Sequence, residues 1–130
     1  MLGIPVFGLC DCNPFGVAVL QTYRRGSERT GHDRDRYSAD IRWLGLRPSH
    51  VAGLKLPKPV YQKLTNRDLK RVELLLSETN QFVGSNEERR SELQAMISMG
   101  VKVELESLQW LGVDFFTNWL TERIETVDVI

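Results

Sequence analysis

The 130-residue chain carries 17 basic and 17 acidic side chains and is 42% hydrophobic, the size and balance of one ordinary soluble domain. No apolar run is long enough to span a bilayer, and the start lacks the basic stretch of a secretory leader. Cys10 and Cys12 are the only cysteines; two residues apart on one strand face they cannot bridge each other, so a disulfide framework is excluded and a reducing intracellular setting is expected.

Residues 4–11 form an apolar run that ends in Asp11 and predict a buried strand. Asn13 and Pro14 then supply an N-cap and a first helical residue for a helix over residues 14–23. This order places the Asp11 carboxylate at the carboxyl end of a strand and beside a helix N-terminus. Open α/β sheets hold phosphates, and the cations that accompany them, at such points. Cys10 and Cys12 flank Asp11 as small buried side chains rather than as a metal-binding thiolate pair. Residues 24–36, rich in Gly, Ser, Thr and mixed charge, predict an exposed loop. Residues 40–45 predict a second strand, parallel to the first through the helical crossover, and Ser49 is expected to cap a short turn reaching Gly53.

Pro57 and Pro59 mark a connection. It divides an α/β part, residues 1–56, from a helical part, residues 57–130, expected to pack together as one unit. Thr65-Asn66-Arg67-Asp68 predicts a capping box and a helix with Leu69, Val72, Leu75 and Leu76 inward. Ser85-Asn86-Glu87-Glu88 predicts a second, with Leu93, Met96 and Ile97 inward until Gly100. A further helix is expected to follow at once through Glu104, Leu105, Leu108 and Leu111 to Gly112. Phe115, Phe116, Trp119 and Leu120 form a last apolar cluster assigned to the core.

The net charge of zero conceals a division. Residues 1–71 hold thirteen Lys or Arg against six Asp or Glu, and residues 72–130 hold four against eleven, a split of +7 and −7. The basic half is the expected nucleic-acid surface, with Arg24, Arg25, Arg42 and Arg47 as phosphate contacts. His32 and His50 have no partners at metal-ligand spacing.

Asp11-Cys12-Asn13-Pro14-Phe15-Gly16, the helix to Tyr23, and Ile41-Arg42-Trp43-Leu44-Gly45-Leu46-Arg47-Pro48-Ser49 resemble the Toprim domain of the topoisomerase VI A subunit family. The likeness is greatest to its eukaryotic branch, the meiotic transesterase that makes DNA double-strand breaks to start recombination. Leu64-Thr65-Asn66-Arg67-Asp68, Arg90-Ser91-Glu92-Leu93-Gln94-Ala95-Met96 and Lys102-Val103-Glu104-Leu105-Glu106-Ser107-Leu108 follow that family's carboxyl-terminal helices in order and spacing. The resemblance implies an α/β fold: a partial Toprim, Rossmann-like parallel sheet followed by C-terminal helices. It implies Mg²⁺ at Asp11, with Asn13 standing where the family usually has a second Asp; Asn13 offers a hard oxygen without charge, or serves only as the helix cap. Double-stranded DNA, a homodimer, accessory meiotic proteins and a topoisomerase VI B-like subunit are the implied partners, with no membrane, and the nucleus is the implied location. The nucleophilic tyrosine and a metal-binding Glu are expected upstream of this chain, which by itself is expected to be inactive. Tyr23, Tyr37 and Tyr61 are accordingly assigned to packing. Two other readings stay open: a non-catalytic interaction module of the same fold, and a haloacid-dehalogenase-like phosphatase, which would need an acid where Asn13 stands and Thr or Val in place of Phe15.

Overall fold

The computed structural model describes residues 5–29, 41–77 and 82–130, with residues 24–29 described by their backbone alone. Strand β1 (Val6–Leu9) pairs in parallel with β2 (Ile41–Gly45), Val6 opposite Ile41 and Phe7 opposite Arg42, and the register slips after Gly8. Helix α1 (Pro14–Arg29) runs between them in the chain. Its start follows the cap chemistry of the sequence: Gly16 N donates to Asn13 Oδ1 at 2.7 Å, and Pro14, which has no N–H to satisfy, takes the first helical position. The mixed α/β architecture with a parallel pair is that of a partial Toprim fold.

α1 continues to Arg29, six residues past the predicted end at Tyr23. Arg and Glu are strong helix formers, and the single Gly26 costs only about 1 kcal/mol, too little to stop the helix. The rest of the expected loop, with His32, lies outside the described residues, as does Tyr37 beyond it.

Helix α2 (Pro48–Gly53) begins at Arg47 rather than at a Ser49 cap. Ser49 instead donates its backbone N–H and its hydroxyl to the two oxygens of Glu92, at 3.0 and 2.6 Å, so a carboxylate from another helix closes this helix start. After a 3₁₀ turn at Lys58–Val60 comes β3 (Gln62–Lys63), which pairs antiparallel with β4 (Val101–Lys102). Two residues per strand are too few to show an alternating pattern, and the sequence predicts neither strand.

Helix α3 (Asn66–Leu76) opens on the predicted box: Asp68 N donates to Thr65 Oγ1 at 3.1 Å, and Thr65 N donates to Asp68 Oδ2 at 2.8 Å. Helix α4 (Glu87–Met99) is capped by Asn86, whose Oδ1 accepts from Arg89 N at 3.0 Å, one residue later than the Ser85 box. It ends at Gly100, whose φ of +69° suits glycine. Leu93 and Met96 face inward as expected, while Ile97 is 41% exposed. Arg89 and Glu92 take buried positions on that helix because each is engaged, Arg89 by the carbonyls of Phe82, Ile41 and Ile130.

Leu105–Leu111 is a 3₁₀ helix rather than the expected α-helix. Leu105, Leu108 and Leu111 recur every three residues, the 3₁₀ repeat, which keeps all three on one side. The last helix, α5 (Phe115–Glu125), buries Trp119 against β2, where Gly45 leaves the room: a Cβ there would meet the Trp119 ring at 2.8 Å. One apolar cluster extends from Cys12 through Trp43, Leu46, Val72 and Leu93 to Trp119, drawing on residues before and after Pro57. Among the described residues no helix is long and apolar enough to cross a membrane.

Candidate functional site

Asp11 lies two residues beyond β1, and the chain immediately after it joins a distant segment. Cys12 and Val103 exchange backbone hydrogen bonds of 2.9 and 3.0 Å in an isolated antiparallel bridge. The bridge lays Glu104, Leu105 and Glu106 beside Asp11, and the four residues line an open cleft of about 430 Å³. Leu105 N donates to Asp11 Oδ1 at 2.6 Å, so one carboxylate oxygen holds the start of the Leu105–Leu111 helix. The half-buried Asp11 thus has a structural partner as well as a position on the cleft.

Negative charge accumulates in this cleft. A hydrogen bond shared with Glu106, then the Glu106 charge and more weakly that of Asp11, raise the Glu104 carboxyl above the usual carboxylate range. Mg²⁺ keeps several waters and takes only one or two protein carboxylates with the substrate phosphate, so Asp11 with one of Glu104 and Glu106 offers it oxygens of the right kind. A closed cage is not built here: among the described residues no three His, Cys, Asp or Glu side chains converge on one ion position. Asn13 fits poorly as a ligand, since its Oδ1 is directed at Gly16 N as the cap of α1.

Both flanking thiols are held in their neutral form. Burial, with the Asp11 charge second, pushes Cys10 up to about 12; burial, with Cys10 next, does the same for Cys12.

The four predicted phosphate contacts do not gather around Asp11. Arg24 and Arg25 stand ten and eleven residues beyond Pro14, about 15 Å along the helix axis from the Asp11 end. Arg42 is exposed on β2 opposite Phe7, four residues and about 13 Å back along the strand. Arg47 is at the Asp11 end of the sheet but is 4% exposed. Its guanidinium is ion-paired with Asp128 and lies 3.4 Å from Glu92 and 3.1 Å from His50 Nε2. Burial and pairing commit Arg47 to the interior, which corrects its assignment as a phosphate contact.

Two other arginines reach the first turn of α1. The guanidinium carbons of Arg67 and Arg71 on α3 sit 5.8 and 5.2 Å from the centroid of the Phe15 ring, in the first turn of α1. Sequence reading missed these two together with Glu104 and Glu106, because tertiary contacts bring the arginines to Phe15 and the glutamates to Asp11; the spacing of Arg67 and Arg71, one helical turn apart, was the only local signal. Tyr61 packs as assigned, donating to the Leu54 carbonyl at 3.4 Å, but Tyr23 is 69% exposed on the outer side of α1 rather than packed.

Comparison with known proteins gives one family and three relatives. The family described as the Toprim domain of Spo11 and the topoisomerase 6 A subunit matches residues 1–124. The chain is 36% identical over 127 residues to the meiotic recombination protein SPO11-2 of Oryza sativa subsp. indica, covering 98% of this chain and 31% of that protein. It is 36% identical over 117 residues to the meiotic recombination protein SPO11-1 of Arabidopsis thaliana, covering 89% and 32%, and 32% identical over 117 residues to the A subunit of DNA topoisomerase 6 from the same plant, covering 89% and 27%. The chain therefore spans about a third of the length of these relatives.

Proposed function

Because the chain belongs to the Toprim family of Spo11 and the topoisomerase 6 A subunit, we propose that it is the Toprim portion of a Mg²⁺-dependent DNA transesterase that makes meiotic double-strand breaks. The observation that carries this reading is the position of Asp11, at the end of a parallel strand and on one cleft with Glu104 and Glu106. On this reading the nucleophilic tyrosine, which attacks a phosphodiester and keeps a DNA end covalently, and a further metal-binding Glu come from outside these 130 residues.

Asp11, with Glu104 or Glu106, would hold Mg²⁺, which would neutralise charge developing on a phosphodiester. The protein's own contributions are positional. The Asp11 Oδ1 bond to Leu105 N keeps the carboxylate from turning away, and the Asn13 cap keeps the start of α1 beside it. Double-stranded DNA, a second copy of the protein, accessory meiotic proteins and a topoisomerase VI B-like subunit complete the proposed assembly, in the nucleus. Among the first contacts with DNA are Arg24, Arg25 and Arg42. Arg47 supports the fold instead. The phosphatase alternative is set aside by the family to which the chain belongs, and by the Asn13 side chain, which caps α1 where an acid would be needed.

The test is covalent adduct formation on duplex DNA by a protein carrying this chain behind a tyrosine-bearing segment of the family. An adduct is expected with Mg²⁺; Asp11→Asn abolishes it, and the chain alone forms none. An adduct mapped to Tyr23, Tyr37 or Tyr61, or full activity of Asp11→Asn, overturns the assignment; the second result would leave a non-catalytic role for Asp11.

A further inference from the structure

We propose that Arg67 and Arg71 of α3, braced on the ring of Phe15, form a DNA-phosphate contact at the Asp11 end of α1. The proposal rests on the DNA reading above and supplies residues for it that the sequence does not single out. The two arginines are four apart and so emerge on the same face of α3. Both guanidinium groups lie over one ring, at 5.8 and 5.2 Å, and that ring remains 38% exposed.

The ring's place in the fold connects the pair to Asp11. Phe15 is the second residue of α1, and its neighbour Gly16 is so close to the Asp11 backbone that a Cβ there would stand 2.7 Å from the Asp11 carbonyl oxygen. α1 packs on α3, which carries the arginines to the same end of the helix as the carboxylate. Arg24 and Arg25, by contrast, leave α1 about 15 Å away.

Charge on α3 argues for an anionic occupant. Arg67, Lys70 and Arg71 fall within five residues, an arrangement of like charges that a helix does not favour by itself. Of the two acids on α3, Asp68 is buried and engaged by Lys102 Nζ at 2.7 Å and by Thr65, and Glu73, one turn beyond Lys70, pairs with neither arginine among the described residues. Among the described residues neither Arg67 nor Arg71 forms an ion pair, whereas Arg47 and Arg123 both do. A guanidinium matches phosphate with two parallel N–H bonds, and the stacked ring restricts the rotamers that would otherwise have to be ordered on binding. The duplex backbone supplies phosphates at the required spacing along its length.

Duplex binding by the full chain, followed by fluorescence anisotropy across a series of NaCl concentrations, tests the proposal, with melting curves as the control for folding. Arg67→Ala/Arg71→Ala is expected to bind more weakly, with the slope of log K against log salt flatter by roughly 1.8, about 0.9 for each phosphate released. Arg67→Lys/Arg71→Lys, which keeps both charges, is expected to retain the slope. If the wild-type chain shows no salt-dependent binding, the DNA reading and this proposal both fail. If it binds, and the alanine pair keeps its slope while Arg24→Ala/Arg25→Ala flattens it, only this proposal is overturned. Equal loss in the alanine and lysine pairs, accompanied by lowered melting, marks a structural role and also overturns it.

Discussion

Asn13 turns its side-chain oxygen to Gly16 N, and Asp11 gives one of its two oxygens to Leu105 N. Within one motif, then, the amide builds the helix start and the carboxylate serves both the fold and the cleft. A third residue, His50, shows how charge is managed away from that cleft. Its Nδ1 accepts from Arg47 N at 3.1 Å, which leaves the proton on Nε2 to donate to Asp128 Oδ2 at 3.0 Å. Burial first, with the Arg47 charge, holds the ring below the usual histidine range, against the pull of Asp128 and Glu92. Burial would raise Asp128 itself, but His50 and Arg47 outweigh it and hold that carboxyl below its usual range. The unfolded chain therefore takes up a proton before the folded one. The stability contributed by neutral His50 is complete above an unfolded value of about 6.5 and declines as pH falls through the lowered folded value. The share from Asp128 is complete above about 3.9 and is lost in stronger acid. Thermal melting should fall between pH 7 and pH 5. His50→Asn should lower stability at pH 7 by about 1–2 kcal/mol, the worth of a charge-assisted bond, and flatten that limb. An unchanged limb would remove His50 from the account.

Among the elements, those bounded by local chemistry were legible. Thr65 with Asp68 and Asn13 with Pro14 each set a helix start that the sequence predicts to the residue. Elements made by distant partners were not: β3 and β4 exist through their pairing with each other, and Glu104 and Glu106 reach Asp11 through the Cys12–Val103 bridge, across more than ninety residues of chain. Serial leucines at a spacing of three misled as well, since a 3₁₀ helix and an α-helix share that short-range pattern. The fit of α1 against the end of β1 depends on Gly16, where a Cβ would lie 2.7 Å from the Asp11 carbonyl and 3.1 Å from Cys10 Sγ. Backbone cannot yield as a flexible side chain does. Gly16→Ala should cost about 1–3 kcal/mol in chemical denaturation, as overpacked sites do, and should displace Asp11 so that cation affinity falls as well. A variant as stable as the parent would show that the helix can move away freely.

At the scale of the whole molecule, the +7 and −7 halves of the sequence do not become two faces. Glu104 and Glu106, from the acidic half, stand beside Asp11 of the basic half, and Arg47 is drawn inside by Asp128 and Glu92. The tail takes part in the same closure: Trp43 N donates to the Ile130 carbonyl at 2.8 Å and Ile130 N returns a bond to Trp43 at 3.2 Å, while Arg89 holds the Ile130 carbonyl from the other side. Charge counted along the chain does not translate directly into surface charge, because folding redistributes it among ion pairs. What the fold gathers instead is a carboxylate cleft at Asp11 and a pair of arginines over Phe15, in the first turn of the helix that follows it.

That arrangement is tested most directly by titrating the chain with Mn²⁺, followed by electron paramagnetic resonance, with Mg²⁺ as competitor. Asp11→Asn keeps an oxygen to accept from Leu105 N and removes only the charge, so it separates ligand from cap. The expected result is saturable Mn²⁺ binding that Mg²⁺ displaces, weakened by roughly tenfold or more in Asp11→Asn, since even the loss of an outer partner costs that much. Affinity should fall as pH is lowered through the raised range of Glu104, and Asn13→Ser, which preserves a cap, should leave it unchanged. Equal affinity in the wild-type chain and Asp11→Asn would contradict the assignment of this cleft to a metal ion.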